Sequence, residues 1–189
     1  MPDVQLSDRR RVAALRDMGL LTDTPEEAYD RFTRLAAMIV DAPIALFTVI
    51  TEEEQFFRSQ VGLPEPTATT RRTPLSHSFC QYVILSSAPL EVTDSRTHPV
   101  VKGNPAIVEL NAIAYLGVPL ITRRGETLGS LCTVDHEPRE WTERDRSVLR
   151  DLAAATVTEI ELRRTTREAV DLAEQLEAAL RGGKKEPTA

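Results

Sequence analysis

Two cysteines, three histidines and a scatter of carboxylates are the side chains from which this 189-residue chain could build chemistry. Cys80 and Cys132 are the sharpest pair. A thiol becomes a nucleophile or a redox group when its pKa is lowered and a reactant can reach it; otherwise it packs as a small hydrophobe. Both lie inside apolar runs, Ser78-Phe-Cys-Gln-Tyr-Val-Ile84 and Thr127-Leu-Gly-Ser-Leu-Cys-Thr-Val-Asp135, so packing is the first expectation and a redox pair the alternative. His77, His98 and His136 show no H-x-x-x-H spacing with a third ligand nearby, and no metal is expected. Asp94 and Asp135 each close an apolar run, where a carboxylate accepts backbone N–H bonds from the following turn. An acid/base pair would also need a shared cleft, a nucleophile and an oxyanion site. No catalytic residue is assigned on these grounds, and no enzyme is expected.

Hydrophobic periodicity sets the elements that position these groups. Ser7 caps a first helix with Val12 and Leu15 on its apolar face and Gly19 at its end, outside the domain proper. Thr24-Pro25-Glu26-Glu27 predicts a second helix, with Thr24 as N-cap, Glu27 completing a capping box, and Tyr29, Phe32, Leu35, Ala36 and Ile39 on one face. Pro43 stops it, and the short β-branched run from Ile44 to Ile50 predicts a central strand. Glu52-Glu53-Glu54 reads as a turn, with Gln55 to Val61 returning as a second strand. Thr73-Pro74 predicts the start of a helix carrying Phe79, Cys80, Val83 and Ile84, and residues 93–110 have the His, Pro, Gly and Asn content of an ordered loop. Ala114-Tyr-Leu-Gly-Val-Pro-Leu120 and Thr127 to Asp135 flank the turn signal Arg124-Gly125, a β-hairpin. Gly117 inside its strand marks a bulge or a close backbone approach, and Trp141 is read as a core plug. Thr142 is the expected N-cap of a long helix reaching about Leu180.

Taken in order, Ser78-Phe-Cys-Gln-Tyr-Val-Ile84, Pro89-Leu-Glu-Val-Thr-Asp94, His98-Pro99, Asn104-Pro105 and the hairpin resemble a GAF domain of the bacterial sensory type. Leu116 departs from the small residue usual at its position. The resemblance covers roughly Pro25 to Arg163 and implies an α+β fold, an antiparallel sheet with helices on both faces, flanked by N- and C-terminal signalling helices. The domain division it suggests is 1–24 for the first helix and linker, 25–163 for the domain, 164–181 for a helical extension and 182–189 for a disordered tail. The family's reductase branch uses a cysteine shortly before the L-P strand, and Pro105 to Tyr115 contain none. Bilin-binding members attach their chromophore at a cysteine commonly followed by histidine, whereas Gln81 follows Cys80 and Thr133 follows Cys132. The N-K-x-D-E motif of cyclic-nucleotide binders is missing too, so no cofactor is expected.

Composition narrows the partners. A net charge of −6 argues against nucleic acid and anionic membranes, and 41% apolar content suffices for one sizeable core. No apolar run approaches a membrane span and the first residues are charged, which places the chain in the cytoplasm, where two free cysteines fit a reducing compartment. Leu162, Thr166, Ala169, Ala173, Leu176 and Leu180 alternate in steps of four and three, a weak heptad seam. It is read either as an extension folded back on the domain or as a parallel homodimer interface, to which Val12 and Leu15 could add.

Three functions are thereby in play. The first is a sensory or regulatory module that binds a small molecule or merely dimerises, acting through its terminal helices on a signalling partner or on an output domain that this chain lacks. The second is a thiol sensor or small redox enzyme using Cys80 and Cys132, and the third a ligand-free dimerisation scaffold. A ligand is expected between the sheet and residues 78–110, against Phe47, Phe79, Tyr82, His98, Tyr115 and Cys132, an apolar set with an imidazole and a phenol as polar handles.

Overall fold

The computed structural model describes residue 6 and residues 8–182. Its centre is a six-stranded sheet of order β3-β2-β1-β6-β5-β4, antiparallel throughout, built from β1 (Ile44–Ile50), β2 (Glu54–Val61), β3 (Arg72–Pro74), β4 (Leu90–Val92), β5 (Ala114–Ile121) and β6 (Thr127–Asp135). The helices are α1 (Arg9–Asp17), α2 (Glu27–Val40), α3 (Cys80–Ser86) and α4 (Glu143–Gly182), with single helical turns at Thr67–Thr70, Leu75–His77 and Ala106–Glu109. The expected α+β architecture is the observed one.

Two apolar layers lie on opposite faces of the sheet. On one, α1, α2 and α4 cover Ala45, Phe47, Val49, Leu116, Val118 and Leu120. On the other, α3 and the segment leading to β5 cover Ile44, Leu46, Ile50, Phe57, Tyr115, Cys132 and Val134. All seven residues of β1 are buried, as befits a central strand covered on both sides.

Phe47 therefore departs from the expected site. It packs edge-on against Tyr29 of α2, ring centroids 5.2 Å apart, on the face opposite Tyr115. A strand that is apolar on both faces has no alternation from which its parity could be read, and a one-residue error exchanges the faces.

Other expectations shift for physical reasons. The second helix begins at Glu27, with Glu26 extended at its cap and no side-chain capping bond. Thr24 instead turns its carbonyl, as Thr22 does, toward the guanidinium of Arg58. Arg58 is the extra residue of a β-bulge, because Phe47 pairs with Ser59 and Thr48 with Phe57, and it is fully buried. Its need for acceptors overrides the local capping signal.

Thr73-Pro74 forms part of edge strand β3 rather than a helix start, and α3 begins at Cys80. Proline at a strand edge leaves no ladder bond unmade. Helix α1 is not outside the domain, since Leu15, Met18 and Leu20 are buried in the same layer as α2 and α4. Val12 and Leu15 are consequently unavailable to a second chain. Asp8 caps α1 by accepting the Arg10 N–H at 2.9 Å; the Ser7 cap and the tail beyond Gly182 lie outside the described residues. Gly182 itself closes α4.

The hairpin and the last helix start as expected. Gly125 holds φ +84° in the loop between β5 and β6. At the head of α4, Asp145 N–H donates to Thr142 Oγ1 at 3.2 Å and Thr142 N–H to Asp145 Oδ2 at 2.9 Å, a reciprocal box. Trp141 is buried with its indole N–H on the Val92 carbonyl at 3.2 Å.

Candidate functional site

Under α3, the sheet presents a buried cluster of sulfur and hydroxyl groups. Cys80 opens α3, Cys132 sits in β6, and their sulfurs lie 3.7 Å apart as free thiols. Tyr115 donates its phenol O–H to Cys80 Sγ at 3.3 Å and lies 3.5 Å from Ser130 Oγ. Thr48, the cross-strand partner of Ser130, is fully buried on the same side of the sheet, and its hydroxyl adds to the groups that favour the Cys80 thiolate.

Strand geometry explains the convergence. Ser130 and Cys132 are two apart on β6 and so share a face, and the register sets Thr48 opposite Ser130 and Gly117 opposite Cys132. Gly117 is no bulge. It is a close approach, because the Tyr115 ring lies where a Cβ at 117 would be. That missing side chain lets the phenol lean along β5 to Cys80.

Hydrogen bonding divides the two thiols electrostatically. The bond from the Cys132 thiol, supported by the Tyr115 phenol, outweighs burial and brings Cys80 down to about 7. Burial pushes Cys132 well above the ordinary thiol value, and Tyr115 well above that of a phenol. Cys80 is the member of the pair that ionises first.

The expected ligand set is only partly brought together. Phe79 packs on Tyr115 with ring centroids 5.5 Å apart, Cys132 touches Cys80, and Tyr82 lies half-buried at the edge of the same layer. His98 stays local, its Nδ1 3.4 Å from the Val100 N–H and its carbonyl accepting the Lys102 N–H. Thr48 and Ser130 were not legible from spacing alone. Ser130 carries the signal of sharing parity with Cys132, whereas Thr48 enters only through the β1–β6 register.

Elsewhere, the acids behave as turn caps. Asp94 Oδ1 accepts the Arg96 N–H at 3.0 Å, and Asp135 Oδ1 accepts the His136 N–H at 2.7 Å. A cleft of about 420 Å³ between the hairpin loop and α4 is lined by Arg123, Arg124, Arg164, Glu126 and Glu161, a mixture of signs that favours no ion class. Among the described residues, no group of three or more His, Cys, Asp or Glu is placed to hold a metal.

The family model for the GAF domain matches residues 22–161. The chain belongs to the GAF domain family. A curated relative, the cyclic di-GMP phosphodiesterase PA2567 of Pseudomonas aeruginosa, is 34% identical over 167 residues, which are 87% of this chain and 28% of that protein. This GAF chain thus spans little more than a quarter of its relative. Among solved structures, the GAF domain of a phosphoenolpyruvate-protein phosphotransferase from Coxiella burnetii superposes with a TM-score of 0.63 at 20% identity, covering 84% of this chain and 96% of that one. A free methionine-R-sulfoxide reductase from Neisseria meningitidis, solved with its substrate, gives 0.60 at 15% identity over 80% of this chain and 87% of that one. At such identities the two structures share the GAF fold with this chain, and the fold alone.

Proposed function

We propose that this GAF domain is a sensory or regulatory module that forms a parallel homodimer along α4 and passes changes in domain packing to a signalling partner. One observation carries the reading: α4 is 40 residues long, and its outer half projects from the domain with its leucines in water. Leu162 is 59% exposed, Leu176 61% and Leu180 67%. The first turn of this extension is held by α1, with Arg164 on Asp17 and Arg167 on the Met18 carbonyl, and the residues beyond are exposed. An apolar stripe on a lone helix is covered most simply by a second copy of itself.

Two further features support the seam. Val170 and Leu172 are also exposed, at positions flanking it, which widens the apolar stripe. Continued toward the domain by the same steps of four and three, the seam crosses the charged Glu159 and the exposed Ala155 before it meets Leu152 and Val148, which pack against the folded core. Motion of that core would then reach the dimer axis directly.

The partner is proposed by analogy with the phosphodiesterase relative: an activity in cyclic-dinucleotide turnover, regulated rather than performed by this domain. No helix among the described residues is long and apolar enough to cross a membrane, and we place the chain in the cytoplasm. A small ligand, where one binds, would insert against Phe79, Tyr82, Tyr115 and Cys132. Phe79, Cys80, Val83, Tyr115 and Cys132 already fill that layer, which favours signalling through packing over a resident cofactor.

Sedimentation tests the dimer. The unaltered chain should associate at micromolar concentration, and Leu176→Glu should weaken association by roughly 1–3 kcal/mol, the cost of an uncompensated charge on an apolar seam. A monomer at high micromolar concentration would end this reading.

A further inference from the structure

We propose that Cys80 and Cys132 form a peroxide-oxidisable dithiol, in which Cys80 is oxidised first and Cys132 resolves it to an intramolecular disulfide. The inference is independent of the dimer: it rests on the cluster beneath α3, and its readout is the state of two sulfurs.

The geometry carries the argument. Two free thiols at 3.7 Å need to approach by only about 1.7 Å to reach the S–S bond length. Cys80 opens α3 and follows the helical turn Leu75–His77, so a short movement of the helix start brings the sulfurs together without disturbing a strand. Around Cys80 are three hydroxyls: Tyr115 donating to it, Ser130 beside Tyr115, and Thr48 opposite Ser130 on β1. The acidity of Cys80, at about 7, supplies thiolate at neutral pH.

The reaction balances as follows. The Cys80 thiolate attacks one peroxide oxygen, the O–O bond breaks, and the departing oxygen takes up the proton that Cys80 released, leaving a sulfenic acid on Cys80 and one water or alcohol. The Cys132 sulfur then attacks Cys80 Sγ, the S–O bond breaks, and the hydroxide leaves with the Cys132 proton as water. Two electrons pass from the dithiol to the peroxide. A dithiol reductant reverses the change.

The experiment uses the full chain, reduced and then exposed to hydrogen peroxide, with intact-mass spectrometry and peptide mapping. The chain should lose two hydrogens, yield a Cys80–Cys132 linked peptide, and regain its mass with a dithiol. The oxidation rate should rise with pH through about 7, as Cys80 ionises. Cys132→Ser should trap a sulfenic acid at Cys80 that a cyclic dione labels, and Cys80→Ser should lose its remaining thiol at least about tenfold more slowly. Circular dichroism checks that both variants fold. For the unaltered chain, the oxidation rate is also compared with the global unfolding rate from denaturant jumps. Oxidation faster than unfolding supports the proposal; oxidation only at the unfolding rate, equal reactivity of the two single variants, or thiols that survive excess peroxide overturns it.

Discussion

At the scale of single residues, the tightest dependence in this molecule is between Tyr115 and Gly117. The phenol occupies the space of the missing Cβ, so Gly117→Ala must displace a fully packed ring. We expect a loss of about 1–3 kcal/mol, typical of overpacking, read as a lower urea midpoint. In a Tyr115→Leu background the same substitution should cost less, because the atoms it strikes are gone, and the difference measures the coupling. An equal cost in both backgrounds would show that Gly117 serves the backbone instead. The sequence marked Gly117 as a bulge or close approach but could not choose between them, since that depends on where the neighbouring ring leans. Cys80 and Cys132 show the same limit. Each was legible as a core residue, yet their 3.7 Å separation depends on how deeply α3 sits on β6, which no spacing reports.

Among the elements, the two helix starts make an instructive contrast. Thr142 and Asp145 cap α4 reciprocally, and nothing nearby competes for them. Thr24 and Glu27 have comparable chemistry, but the buried Arg58 claims the Thr24 carbonyl and the helix begins later. Local signals decide an element's end where tertiary demand is weak. Asp145→Ala removes one half of the α4 box and leaves Arg139, 3.7 Å away, with one fewer carboxylate. The expected cost is about 0.5–2 kcal/mol, seen in thermal unfolding, and Asp145→Asn should recover part of it by keeping a cap acceptor. On α2 the face also turned. Thr33, bonded to Ser59, points inward where Leu35 was expected, because a buried hydroxyl pair can satisfy itself across α2 and β2. Phe32, Leu35 and Ile39 remain half-buried as a result.

Over the whole molecule, the boundary of the folding unit lies nearer the first residues than the family match suggests. Leu15, Met18 and Leu20 are buried beside α2 and α4, and the Met18 carbonyl accepts Arg167 of α4 at 2.6 Å. Each large apolar side chain removed from a core costs roughly 1.5–3 kcal/mol, so three together rival the whole stability of a typical domain. Deleting residues 1–21 should therefore leave a chain without a cooperative unfolding transition. Ending the chain after Arg167 should leave the transition in place and remove only the dimer. The order of strands and helices was legible from periodicity and turns; the docking of α1 was not, because a short amphipathic helix reads alike whether its apolar face meets its own domain or another.

The unbroken course of α4 has a consequence in angle. An α-helix of 40 residues is about 60 Å long, and each residue turns the path by about 100°. A surface carried near the outer end of α4 has a compass bearing relative to the core, set by the number of residues between them. Adding seven residues changes that bearing by only about 20°, whereas adding two swings it by about 160°. The helix thus works as a protractor as well as a spacer: its length can vary in steps near seven with the bearing kept, and other lengths point the attached surface elsewhere.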